Sequence, residues 1–331
     1  MSFSFLQDPG QYIAKINATN FENIALDLFQ YQYEHNGVYH QWVDQLGIDP
    51  QTTNRLEGIP FLPISFFKSH EIVTGSLPPG ALFFESSGTT GSINSRHYVS
   101  DQVLYRESLI EGFRACYGDP QDWAILALLP SYLERQNASL VYMARTLMDR
   151  SQHPANGFFL NEWDTLASRI ESLEAAGQPV LLLGVSFALI DFAEKYPKKL
   201  EHTIVMETGG MKGRREEWTR KQLHDFLKAA WKLDSIHSEY GMTELLSQAY
   251  APSNGIFQPS RTMKVLVRDL NDPLEVNTSG SGALNMIDLA NVHSCAFIAA
   301  EDLGTVYKDG CFEVLGRMDH SALRGCSLMA V

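Results

Sequence analysis

Apolar residues near the start of the chain recur at helical spacing. Phe21, Ile24, Ala25 and Phe29 share one face and aromatics continue to Trp42, so residues 1–60 are expected to be helical. The run Gly58-Ile59-Pro60-Phe61-Leu62-Pro63 breaks that period. Beyond it, short apolar runs alternate with amphipathic stretches. Leu82 to Glu85 reads as the end of a strand, followed by a glycine loop and a helix from about Asp101. Trp123 to Leu129, Val180 to Leu183 and Thr203 to Met206 are apolar enough for buried strands. A helix is expected over about Glu216 to Trp231, with Leu223, Phe226, Leu227, Ala230 and Trp231 on one face. After residue 260 the pattern shortens: Lys264–Arg268, Ala283–Leu289 and Thr305–Leu315 read as a β-rich subregion, with Lys308-Asp309-Gly310 as a hairpin turn. Strand–helix alternation of this kind predicts an α/β fold of layered, largely parallel sheets with flanking helices and a β-rich C-terminal end.

Composition narrows the function classes. The 331 residues are 44% hydrophobic and carry a formal net charge of −13, which argues against a nucleic-acid surface but not against a nucleotide ligand. The apolar runs are too short to span a bilayer, and no basic segment precedes the apolar start, so no membrane segment or signal peptide is expected. The four cysteines, Cys116, Cys295, Cys311 and Cys326, form no Cys-x-x-Cys pair. Free thiols in a cytoplasmic protein are therefore expected.

The most informative stretch is Ser86-Ser87-Gly88-Thr89-Thr90-Gly91. Its glycines let successive N–H groups turn toward an anion, and its hydroxyls add donors, so it could wrap a polyphosphate. No Gly-Lys-Ser/Thr follows, so it is not a Walker loop. Taken by itself it reads more readily as a Ser/Gly-rich surface turn.

In order, however, it resembles the phosphate loop of the adenylate-forming superfamily of acyl-CoA synthetases, peptide-synthetase adenylation domains and luciferases. Three further stretches follow in that superfamily's order. Thr208-Gly209-Gly210 resembles its adenine turn, and Tyr240-Gly241-Met242-Thr243-Glu244 its Tyr-Gly-x-Thr-Glu motif. Glu301-Asp302-Leu303-Gly304 with Gly316-Arg317-Met318-Asp319 resembles its ribose and hinge motifs. The resemblance implies ATP and Mg2+ as cofactors, with Tyr240 near the base and Thr243 on the AMP phosphate. It also implies Glu244 on the metal, Asp302 on the ribose hydroxyls and Arg317 on ribose or phosphates. Those roles suit the chemistry, because a carboxylate attacking phosphorus needs positive charge and fixed donors while pyrophosphate leaves.

Beyond Gly316-Arg317 only Asp319 to Val331 follow, where acyl-CoA synthetases carry a mobile domain. The chain is therefore read as residues 1–60 helical, 61–317 adenylate-forming and 318–331 a short tail. Together with Ile59-Pro60-Phe61-Leu62-Pro63-Ile64-Ser65-Phe66-Phe67-Lys68 and Ser131-Tyr132-Leu133-Glu134-Arg135, this resembles the LuxE-type acyl-protein synthetases, from about residue 55 onward. That branch implies a fatty acid, activated as acyl-AMP and passed to a cysteine near the C-terminus. Here that cysteine would be Cys326, beside Arg324, with an acyl-CoA reductase or acyl carrier protein as partner. By position alone, Cys326 reads more readily as an ordinary tail residue. His237 and Arg135 are candidate substrate-binding residues; His237 reads equally as a neutral core histidine and Arg135 as half of an ion pair with Glu134. Arg96 and His97 are candidates for the phosphates or the acid, and His97 equally for burial. Lys212, Arg214 and Arg215 read as a solvated helix start. Two other functions stay open: a ligase using free coenzyme A, and a catalytically weak scaffold that binds nucleotide or acyl groups.

Overall fold

A computed structural model describes residues 8–86, 94–129, 137–209 and 218–318. From the N-terminus run α1 (Pro9–Lys15), α2 (Phe21–His35), α3 (Gly37–Gln45), β1 (Leu62–Pro63), α4 (Phe66–Ser69), β2 (Leu82–Glu85) and β3 (Arg96–Val99). Next come α5 (Gln102–Tyr117), β4 (Ala124–Leu128), α6 (Ser139–Ser151), β5 (Gly157–Phe159), α7 (Trp163–Ala175), β6 (Val180–Val185), α8 (Ser186–Lys195), β7 (Thr203–Thr208) and α9 (Arg220–Trp231). The chain continues through β8 (His237–Tyr240), β9 (Ala249–Ala251), β10 (Gln258–Pro259), β11 (Met263–Arg268), β12 (Val276–Asn277), β13 (Gly280–Asp288), β14 (Phe297–Val306) and β15 (Phe312–Arg317).

Two sheets organise these elements. The first has the order β10-β9-β8-β7-β6-β4-β5, parallel from β5 to β8 and antiparallel at β9 and β10. Its central strands β4 and β6 are buried along their whole length, as parallel strands covered on both faces must be. Gly184 is required here, since a Cβ would lie 2.7 Å from Leu189 on the helix that follows β6 without a loop. Helix α9 starts with a reciprocal capping box between Thr219 and Gln222, which satisfies two of the N–H groups a helix start leaves open.

The second sheet joins β1, β14, β13, β11 and β12, with β15 paired to β14. It is antiparallel apart from β1. The N-terminal helices pack on it: Phe29 and Tyr39 both lie against Phe297 at about 6 Å between ring centres. Gln32 is buried and donates to the carbonyls of Asn291 (2.9 Å) and Val292 (3.1 Å), while its Oε1 accepts from Ala296 N. These bonds fix the 289–296 connection, which reaches the site described below.

One expected order is corrected. The glycine loop does not run from a strand into a helix. β3 intervenes and pairs antiparallel with β2, with Glu85 opposite Arg96. Four residues in which only His97 and Val99 are buried make too short an alternation to stand out beside a polar loop.

Candidate functional site

The carboxyl end of β8 faces the middle of β14 and the end of β15, where Tyr240, Asp302 and Arg317 meet. Asp302 and Arg317 are direct cross-strand partners, so their side chains share a face. Tyr240 Oη donates to Asp302 Oδ2 at 2.7 Å, and Arg317 Nε donates to Asp302 Oδ1 at 3.1 Å. Asp302 is buried while the Arg317 side chain is 72% exposed, so the cation projects outward from a fixed carboxylate. Each Asp302 oxygen has used one acceptor position, which leaves one on each for a pair of hydroxyls. Tyr240 itself is held edge-on to Phe257 and Phe312, with ring centres 5.7 and 5.4 Å away.

Glu244 lies four residues on and is buried. Burial pushes its carboxyl up from the ordinary value, partly opposed by a short hydrogen bond from Ser95 Oγ and by the charges of Arg317 and Lys68. Ser95 is tied to Ser86, where the glycine loop starts: Ser86 N donates to Ser95 O (3.1 Å) and Ser95 N to Ser86 Oγ (2.9 Å). The loop's two flanks are thus closed on each other and linked to Glu244.

The motif is held from behind by Asp288 and Asn291, neither of them singled out in the sequence, together with His97. Asp288, at the end of β13, accepts from Leu246 N (2.7 Å), Ser247 N (3.0 Å) and Ser247 Oγ (2.5 Å). Asn291 Nδ2 donates to the carbonyl of Glu244 at 2.8 Å. His97 bridges the two segments, its Nδ1 2.8 Å from Thr243 O and its Nε2 3.0 Å from Asn291 Oδ1. Two acceptors facing one ring favour the imidazolium, but complete burial opposes it and wins, pushing the pKa down to about 4. His97 is therefore a structural strut under Thr243, its ring edge-on to Phe67. The available signal was a pair of polar residues, Asp288 and Asn291, inside the otherwise apolar stretch Met286 to Val292.

Other expected residues lie farther off or outside the description. Arg96 is exposed and paired with Glu85 at 2.7 Å. His237 opens β8, three residues and roughly 10 Å along the strand from Tyr240. There it contacts Tyr117 Oη at 3.1 Å, and burial pushes its pKa down to about 4. Thr208 ends β7 with its hydroxyl on Glu239, and Gly209 takes a left-handed φ of 70°, which glycine adopts without strain. Ser87, Gly88, Thr89, Thr90, Gly91, Glu134, Arg135, Gly210, Lys212, Arg214, Arg215 and Cys326 fall outside the described residues.

Comparison with protein families matches residues 5–330 to the acyl-protein synthetase family, LuxE. The chain belongs to that family. The match takes in the first fifty residues, which the sequence motifs alone left as merely helical. A comparison with curated proteins gave no match. Among solved structures the chain is similar to ATP-bound MatB from Rhodopseudomonas palustris, at 18% identity and a TM-score of 0.53, covering 71% of this chain and 47% of that one. It is also similar to a long-chain-fatty-acid–CoA ligase from Archaeoglobus fulgidus (15% identity, TM-score 0.53, 75% of this chain and 53% of that one). A luciferase-like enzyme from the mealworm Zophobas morio gives 15% identity and a TM-score of 0.50, over 82% of this chain and 61% of that one. At such identities the likeness shows the fold, which is that of adenylate-forming enzymes. The chain spans 47–61% of the length of these structures.

Proposed function

We propose that this acyl-protein synthetase relative uses ATP to convert a carboxylic acid into acyl-AMP and then passes the acyl group to a protein thiol. The observation that carries the reading is the convergence of Tyr240, Asp302 and Arg317 with the Glu244–Ser95–Ser86 link at one strand end. In the first step a carboxylate oxygen of the acid attacks the α-phosphorus of ATP and pyrophosphate leaves. Asp302 accepts the ribose hydroxyls on its two remaining acceptor positions, and Tyr240 fixes its orientation. Arg317 supplies permanent positive charge beside them. The glycine loop, Ser86 through Gly91, donates to the departing phosphates, and Thr243 hydrogen-bonds the phosphate of the AMP.

Glu244 fits the part of a magnesium ligand. Among the described residues no cluster of three or more His, Cys, Asp or Glu side chains could hold a metal ion. Mg2+ on ATP needs only one or two carboxylates in addition to phosphate oxygens and water. When bound, the ion would neutralise charge on the phosphates.

In the second step a thiolate attacks the acyl carbon, forming a thioester and releasing AMP. Burial pushes the thiols of Cys116, Cys295 and Cys311 up, Cys295 to about 12, so these three are poorly set up as nucleophiles. Cys326 is the proposed acceptor, from which an acyl carrier protein or an acyl-CoA reductase would take the acyl group. A fatty acid is the proposed substrate and the cytoplasm the proposed location; no helix among the described residues is long and apolar enough to cross a membrane.

The test is intact-mass spectrometry after incubation with ATP, Mg2+ and panels of acids. A hydroxylamine-labile acyl adduct mapping to Cys326 is expected. Acyl-AMP consumed only when free coenzyme A is added would place the acceptor outside the protein.

A further inference from the structure

Successive side chains on β8 point to opposite faces of the sheet. Tyr240 faces Asp302; Glu239, one residue earlier, faces α5 on the other side. There Glu239 is buried, and Thr208 Oγ1 donates to its Oε2 at 2.7 Å. Its other oxygen, Oε1, lies over Gly241, 2.6 Å from where a Cβ would stand, and Gln248 Cγ is 3.8 Å from the same point. Tyr250 is the direct cross-strand partner of Glu239, and its ring is packed edge-on by Tyr117 and Phe113 of α5. Tyr250 is 1% exposed and Gln248 4%, yet Tyr250 Oη and Gln248 Oε1 have no hydrogen-bond partner among the described residues.

Buried polar atoms without partners are uncommon because each has given up water and gained nothing. Two of them on residues that flank one buried carboxyl, Tyr250 across the strands and Gln248 at Gly241, mark a place where a polar group of a ligand belongs. Gly241 gives the opening, because it is exposed while the Glu239 carboxyl and the Gln248 side chain close in beneath it. The chemistry of the group follows from the atoms that await it. A glutamine carbonyl only accepts, a carboxylate only accepts and a phenol does either, so the complement is a donor.

Resting on the adenylation reading above, we infer that Glu239, Gln248 and Tyr250 form the subsite for the body of the acid, and that this acid carries an amino or hydroxyl substituent. A plain hydrocarbon tail would leave Gln248 Oε1 and Tyr250 Oη unpartnered. Glu239 suits either donor, since burial and the neighbouring charge of Glu207 push its carboxyl up to about 7. It can meet a hydroxyl while neutral or an ammonium while charged.

Carboxylate-dependent ATP–pyrophosphate exchange tests this with matched acids: straight-chain alkanoates and benzoates, each beside its amino- and hydroxy-substituted counterparts. The substituted acid of the preferred pair should exceed its plain counterpart in kcat/KM by at least about tenfold, since a site built for a donor rejects the analogue lacking it. Tyr250→Phe should cut that ratio by roughly three- to tenfold while leaving the thermal midpoint unchanged or higher, because the hydroxyl has no partner to lose in the free fold. Glu239→Gln should penalise amino acids more than hydroxy acids if the donor is an ammonium, and both alike if it is a hydroxyl. Plain acids exchanging as fast as their substituted counterparts would overturn the inference while leaving adenylation intact. So would an unchanged preference in Tyr250→Phe. Absence of exchange with every acid would overturn both.

Discussion

The hydroxyl of Tyr240 donates to Asp302 at 2.7 Å, joining residues 62 positions apart in the chain. The two sheets meet at this bond, and it turns a strand-end aromatic and a buried carboxylate into one preorganised surface. Arg317 reaches the same carboxylate from the neighbouring strand.

Asp302→Ala should weaken ATP and AMP binding by about ten- to a hundredfold, because a substrate's hydroxyls lose a charged, fixed acceptor. Isothermal titration with AMP measures it. Unchanged affinity would remove Asp302 from the ribose. Arg317→Ala, which leaves the Tyr240–Asp302 bond in place, should cost less in AMP affinity than Asp302→Ala.

Glu244→Ala is expected to reduce acid-dependent exchange by about two to three orders of magnitude, the range seen when one preorganised electrostatic group is lost. Circular dichroism should show the fold retained. A rate within threefold of the unmodified protein, at any Mg2+ concentration, would take Glu244 out of the metal site.

His97 gives a prediction about pH. Its folded pKa, about 4, lies below the ordinary histidine value. The unfolded chain therefore binds more protons between those limits, and stability falls as pH drops from about 6.5 to about 4. The loss attributable to this residue is on the order of 3 kcal/mol over that window. His97→Gln should be less stable near neutrality yet show a flatter decline in denaturant midpoint with acidity. An equally steep decline would locate the titrating group elsewhere.

Cys326→Ser should leave acyl-AMP formation intact and abolish covalent labelling. Labelling that persists in the serine variant would move the acceptor to another side chain or another molecule.

How far these features could be read beforehand differed from one element to the next. The buried parallel strands declared themselves, since Ala124–Leu128 and Val180–Val185 are apolar at every position but one. The 308–310 turn also declared itself: Gly310 has a φ of 85°, as the Asp-Gly pair suggests. That Tyr240, Asp302 and Arg317 would come together was legible because their motifs stand in a fixed order along the chain. What supports them was not. Ser95, Asp288 and Asn291 act through bonds to residues 41 to 149 positions away, and no local pattern encodes such a distance. β3 escaped notice for a related reason, since its pairing with β2 rather than its own periodicity makes it a strand. Glu239 was hidden in plain view inside the Ser-Glu-Tyr-Gly stretch; only the cross-strand register that sets it beside Tyr250 reveals its surroundings.

The most direct test of the account is ATP–pyrophosphate exchange by the unmodified protein with a broad panel of carboxylic acids. Exchange that depends on one class of acid and collapses in Glu244→Ala is the predicted result. ATP binding without exchange for any acid would contradict adenylation and leave a nucleotide-binding scaffold in its place.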